Sequence, residues 1–317
     1  MRPVTCVGVD ITWWGGGSSR ASRRETIVAI RLDSHPSIAV EMIDLSSVPN
    51  PRSSEPGEPN FDREGSRLVD GLVQAISRVA GDGDRVIVAL DAPLEAMSRP
   101  GQPPRVKAVA KGEKMGSRRR ECEDALSRYS ASLPKDTARG WSKDLKIQSG
   151  SPIAPRIASV LRLLQAHGYE IVRSSTQNPD KGIIEIFPSQ AIWALGILGH
   201  YAATSKDVRA YKSKTDKVMK SDDAFQIAQR PLLGFCELLS QQGVLEPDLV
   251  REWMTTIAQN AVDCSPGREL GLVHKGKGFD DPIDSGIAAL TCVAYSLGLF
   301  HIFGDGTDGT IIGPGKL

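Results

Sequence analysis

Hydrophobic and polar positions along the first ninety residues fall into a readable order. Val4 to Ile11 is a short β-branched apolar run that closes on an aspartate, Asp10. Thr26 to Leu32 and Ile38 to Leu45 predict two further strands, the second with alternating Ile38, Val40 and Met42 against Ala39, Glu41 and Ile43. Short polar connections between the three, one of them His35-Pro36-Ser37, predict an antiparallel meander. A loop rich in proline and serine, Pro49 to Asn60, precedes an amphipathic helix from Phe61 to Ala80. Leu68, Leu72, Ile76 and Val79 form its apolar stripe, and Gly81 is its stop. Arg85 to Leu90 is almost continuously apolar, as in a strand covered on both faces, and it too runs into an aspartate, Asp91.

Beyond Met97 the pattern changes. Arg99 to Arg120 carries eight Lys or Arg against Glu113 alone, which predicts a phosphate-facing insertion. Pro155 to His167 reads as a helix with Ile157, Val160, Leu161 and Leu164 in register, and Tyr169 to Arg173 and Gly182 to Phe187 as strands. A helical region fills Ser189 to Asp263, with helices at Ser221 to Gln242 and Pro247 to Val262. His274 to Gly278 reads as a linker, Pro282 to Leu299 as a long helix, and Thr310 to Ile312 as a last strand. The order predicts an α/β fold with a ribonuclease H-like mixed sheet, three antiparallel strands followed by helix-linked parallel ones. The whole of 1–317 reads as one domain, with a basic insertion at 99–150 and a helical insertion at 189–263. A dinucleotide-binding fold is excluded, because Gly15-Gly16-Gly17 leads into Ser-Ser-Arg and no GxGxxG turn follows the first strand.

Composition adds boundaries. The formal net charge is +1, against a histone-like or membrane-surface protein. Five scattered cysteines without CxxC spacing suggest neither a disulfide framework nor a zinc site. No basic-then-apolar leader and no apolar run of membrane-spanning length are present, so a cytoplasmic setting and no membrane partner are expected.

The chemistry is carried by carboxylates. Asp10 and Asp91 each close an apolar strand, and in a ribonuclease H-like sheet those strands are neighbours about 4.8 Å apart. Two carboxylates so placed repel, and a divalent cation neutralises them; oxygen ligands favour Mg²⁺ or Mn²⁺. Asp281 and Asp284 share one helix face by their i, i+3 spacing, although Asp281-Pro282 also has the form of an N-cap and N1 pair, with Asp284 as the acid of a capping box. Glu185 lies inside the apolar strand Ile183-Ile184-Glu185-Ile186-Phe187, either at the site or on an outward edge position. His274, Lys275 and Lys277 precede the acidic helix and could touch a phosphate, and Trp13-Trp14 follows Asp10 as a base-stacking surface.

Seven motifs occur in order: Gly8-Val9-Asp10, Ala89-Leu90-Asp91-Ala92-Pro93-Leu94, Arg119-Arg120-Glu121-Cys122-Glu123, Glu185-Ile186-Phe187-Pro188-Ser189, Tyr211-Lys212, Asp281-Pro282-Ile283-Asp284-Ser285 and Gly309-Thr310-Ile311-Ile312-Gly313-Pro314. Together they resemble the domain of unknown function 429 family, predicted nucleases of the ribonuclease H-like superfamily, over nearly the whole chain. The chain differs at Glu123, where that family usually has aspartate, and at Gly286, where it has a larger apolar residue. The resemblance implies a metal-dependent nuclease or related phosphotransferase with acids at Asp10, Asp91, Glu185 and Asp284. It is similar also to Holliday-junction resolvases, in which a late helix supplies two acids three apart. On this reading Asp10 and Asp91 bridge two Mg²⁺ or Mn²⁺ ions, and Asp284 with either Asp281 or Glu185 completes their shells. The nucleic-acid partner would be held by Arg105, Lys107, Lys111, Lys114, Arg118, Arg119, Arg120, Lys212 and Lys275. Two rivals stand beside it: an actin-like or sugar-kinase-like phosphotransferase, which needs a second Gly-rich phosphate loop not found here, and a non-catalytic nucleic-acid-binding module of the same fold.

Overall fold

The computed structural model describes residues 2–11, 24–45, 59–92, 94, 122, 125–126, 128–129, 153–197, 217–240, 245–265, 268–275, 279–304 and 309–315. A six-stranded mixed sheet forms its centre. Three strands, β1 (Val4–Asp10), β2 (Arg24–Leu32) and β3 (Ser37–Asp44), make the antiparallel meander that the alternation predicts. On the other side of β1 the sheet turns parallel, with β4 (Arg85–Asp91) beside β1, then β6 (Lys181–Glu185) and β5 (Glu170–Ile171). The spatial order is therefore β3-β2-β1-β4-β6-β5. The two central strands β1 and β4 are buried on both faces, which explains their unbroken apolar runs.

Helices cover both faces. Helices α1 (Pro59–Val79) and α2 (Ile153–Ala166) lie on one side, where Leu68, Leu72, Val79, Ile157, Val160 and Leu164 meet Val7, Val9, Val88 and Leu90 of the sheet. The other side carries α3 (Pro188–Ile197), α4 (Ser221–Gln229), α5 (Leu233–Ser240), α6 (Pro247–Asp263) and α7 (Asp280–Ser296), packed on Cys6, Val28, Ile30, Ile87, Ala89 and Ile184. Alternation along each strand sends successive residues to opposite layers, so a residue's parity decides which set of helices it meets.

α7 lies directly on β1. A Cβ on Gly8 would stand 2.1 Å from the carbonyl oxygen of Ser285 and 2.3 Å from the N of Ala289, so only glycine lets the helix backbone approach this closely. One layer out, a Cβ on Gly286 would lie 2.5 Å from Cγ2 of Ile257, so this glycine seats α6 against α7. At the far end of the sheet Asp84, 2% exposed, accepts hydrogen bonds from Thr5 Oγ1 (3.1 Å), Arg31 Nε (2.8 Å) and the Gly81 N–H (2.9 Å). These fasten the turn before β4 to β1 and β2.

Several elements depart from the reading of the sequence. The helix expected over Ser221 to Gln242 is broken into α4 and α5 by a 3₁₀ turn, Arg230–Leu232, because Pro231 has no N–H to continue the α-helical ladder. The insertion at 189–263, read as helical, contains a strand, β7 (Lys217–Lys220). It pairs antiparallel with β8 (Leu272–Lys275), which takes in the first two residues of the expected linker. The strand expected over Tyr169 to Arg173 shortens to Glu170–Ile171. A further strand, β9 (Phe300–Phe303), pairs with β10 (Ile311–Pro314), and Ile312 bridges in parallel to Ile186 at the end of β6. Among the described residues no helix is long and apolar enough to cross a membrane.

Candidate functional site

The acids gather where β1 and β4 end. The two strands run parallel with Val4 opposite Arg85 and continue in register to Asp10 opposite Asp91. Both aspartates are 8% exposed. Their parity is that of Gly8 and Ala89, so both belong to the α7 layer.

α7 brings its first turn and a half to the same place. Asp281 and Asp284 are buried there, at 8% and 4% exposure. The capping expectation is corrected. The helix starts at Asp280 with Phe279 as the N-cap residue, and no side chain caps its N-terminus, so Asp281 and Asp284 lie inside the helix. The helix begins one residue before the Asp-Pro pair that mimics a cap and N1.

The Asp281 carboxyl lies within hydrogen-bonding reach of Asp10. Burial, and then the charges of Asp280, Glu25 and Asp284, push Asp281 well above the usual carboxylate range, against the opposing pull of the Asp10 bond. Asp280, half-buried at the helix start, adds its charge to the cluster.

Glu185 is placed differently. β6 lies between β4 and β5, so the outward edge position is excluded, and Glu185 is 2% exposed. Its register partner is Leu90, and its parity is that of Ile183 in the α1 and α2 layer, the opposite face from Asp10 and Asp91. Its Oε2 accepts the N–H of Leu94 at 3.0 Å. Glu185 thereby holds the turn that follows Asp91.

Two residues that the reading of the sequence does not single out belong to the neighbourhood. Glu25, fully buried on β2, adds to the charge around Asp281. Its only signal is position, next to the apolar run that starts at Thr26. Ser285, fully buried beside Asp284, receives the Asp10 N–H at 3.0 Å and donates to the Thr26 carbonyl at 2.9 Å.

Arg105, Lys107, Lys111, Lys114, Arg118, Arg119, Arg120 and Lys212 lie outside the described residues, as do Lys277 and Trp13-Trp14. Lys275 sits at the end of β8, in register with Lys217 of β7. In the sequence the basic stretch follows soon after Leu94.

The donor set of buried carboxylate oxygens fits a hard divalent cation such as Mg²⁺ or Mn²⁺. Among the described residues no three His, Cys, Asp or Glu side chains are gathered closely enough to hold an ion as they stand. No family model, no curated protein and no solved structure matches the chain.

Proposed function

We propose that this protein is a ribonuclease H-like, Mg²⁺- or Mn²⁺-dependent nuclease, as its resemblance to the domain of unknown function 429 family implies. The observation that carries the reading is the register of Asp10 opposite Asp91 at the carboxyl ends of adjacent parallel strands, with Asp281 and Asp284 of α7 buried at the same end. Aspartates at strand ends commonly serve turns. These are buried with two further acids of α7, an arrangement unfavourable in a low-dielectric setting unless a proton or a cation balances it.

Asp10, Asp91, Asp281 and Asp284 would hold the ions. Bound there, divalent metal supplies water activation and charge stabilisation at the departing oxygen. Glu185 contributes by fixing the turn at Leu94 behind Asp91. The basic residues from Arg99 to Arg120 follow β4 in the sequence and would hold the phosphate backbone.

The test is cleavage of duplex DNA, single-stranded RNA, an RNA–DNA hybrid and a branched DNA by the purified protein with Mn²⁺, with Mg²⁺ and with EDTA. Metal-dependent cleavage of at least one substrate, abolished in Asp10→Asn, is the expected result. No cleavage together with no Mn²⁺ binding by calorimetry overturns the proposal. Metal-independent nucleic-acid binding would then leave the non-catalytic module.

A further inference from the structure

The antiparallel pairing of β1 with β2 runs from Val4 opposite Leu32 to Val9 opposite Ile27. Continued by one residue, it would set Asp10 opposite Thr26. At that step a helix side chain enters the ladder. The Asp10 N–H donates to Ser285 Oγ at 3.0 Å, and the Ser285 hydroxyl donates to the Thr26 carbonyl at 2.9 Å. The hydroxyl thus joins a strand donor to a strand acceptor, using its proton and one lone pair, so its orientation is settled.

We infer that Ser285 is the positioning residue of the carboxylate site, a pin that holds the acid-bearing turns of α7 in fixed register on β1. The inference rests on the metal-dependent reading above. Three features make the pin effective. Ser285 is fully buried, so water does not compete for either bond. It is adjacent to Asp284 in the chain and bonds the backbone of Asp10, so one hydroxyl sets the separation of acids from two elements. Its own carbonyl lies against Gly8, where no side chain can act as a spacer. The pin also meets a specific load. The charge of Glu25 on β2 acts on Asp281 of α7, a repulsion between sheet and helix. Gly8 packing resists approach but not sliding along the strand. The bridge resists sliding.

Ser285→Ala separates this role from ordinary stability when compared with Thr291→Val. Thr291 lies on the same helix, is also fully buried, and donates to the Ile287 carbonyl at 2.8 Å, a bond within the helix. Both variants should melt at a lower temperature than the wild type. Mn²⁺ affinity, read by calorimetry and by the spectrum of free Mn²⁺, should fall about tenfold or more in Ser285→Ala, as when a group that orients a metal ligand is removed. It should stay at the wild-type value in Thr291→Val. Ser285→Cys, which keeps a weak donor and acceptor at similar volume, should recover part of the affinity, and it serves as the test if Ser285→Ala does not fold. Wild-type affinity in Ser285→Ala, or in Ser285→Cys with no folded alanine variant, overturns the pin while leaving the metal site intact. A wild-type protein that binds no Mn²⁺ overturns the nuclease reading and the pin with it.

Discussion

Asp10 and Asp91 stand opposite each other in register on adjacent parallel strands, and the α7 layer closes over both. Cross-strand neighbours lie about 5 Å apart, so their carboxylates compete for the same small volume. That competition is the basis of the first prediction. Excess Mn²⁺ should raise the melting temperature of the wild type, because mass action adds about 2.7 kcal/mol of stability at a concentration one hundred times Kd. Asp10→Asn and Asp91→Asn should each abolish the shift in a thermal melt while leaving the metal-free protein as stable as before or more so.

Asp281 carries the pH dependence of the metal-free site. Its folded-state pKa is raised above the unfolded one, by burial first and by Asp280, Glu25 and Asp284 after it. The stability held by the protonated form is therefore complete below the unfolded value and is lost as pH rises through the folded value. In urea titrations with EDTA, wild type should lose stability from weakly acidic to alkaline pH. Asp281→Asn should show a shallower fall, and an identical slope in both proteins would show that another group governs it.

Asp84 has the opposite sign. Burial pushes its carboxyl up, but the Arg31 bond and charge, the Gly81 N–H and Thr5 more than reverse this and hold it below the ordinary value. Its contribution is present above the unfolded pKa and disappears as pH falls through the folded one. Asp84→Asn should cost about 2 kcal/mol at neutral pH, measured by chemical denaturation, with the difference vanishing in acid.

The two close-packed glycines should respond differently. Gly8→Ala meets backbone atoms of α7 that cannot turn aside, and should cost about 3 kcal/mol or prevent folding. Gly286→Ala meets the side chain of Ile257, so it should cost about 1–3 kcal/mol and be partly relieved by Ile257→Val. A double-mutant cycle in denaturant reads the coupling.

Replacing Arg118, Arg119 and Arg120 together with Ala should weaken nucleic-acid binding and flatten its dependence on salt, by a slope of about 0.9 for each duplex phosphate that is no longer neutralised. Fluorescence anisotropy from low to moderate salt checks this. An unchanged slope would remove these arginines from the interface.

What is legible in the sequence is local. Asp10 and Asp91 stand out because each ends an apolar run long enough to be a central strand, and the meander because Ile38 to Ile43 alternates. The start of α7 is misleading because Asp281-Pro282 has the form of a cap although the helix begins at Asp280. Lys217–Lys220 and Phe300–Phe303 escape a reading of pattern because four-residue strands have no periodicity of their own and exist through their partners. Pro231 is visible as a breaker inside an apolar helical pattern, and the periodicity around it hides the interruption. Glu185 does lie in an apolar strand, but its face depends on register with β4, and register is a tertiary fact. Ser285 enters the reading only as the last residue of the Asp281-Pro282-Ile283-Asp284-Ser285 motif, with no role attached, because its importance comes from meeting two strands far away in the chain.

The bridge through Ser285 joins residues 275 apart in the chain. Contacts of such long sequence separation form late, after the loops between them have closed. During synthesis, a chain that has emerged only as far as β6 can already pair β1 with β4 and set Asp10 opposite Asp91. It still lacks Asp281, Asp284 and the hydroxyl that holds them in register. The ribosome thus times the assembly: the acids come together only when translation has passed α7, and a prematurely terminated product carries half of the cluster with nothing to fasten it.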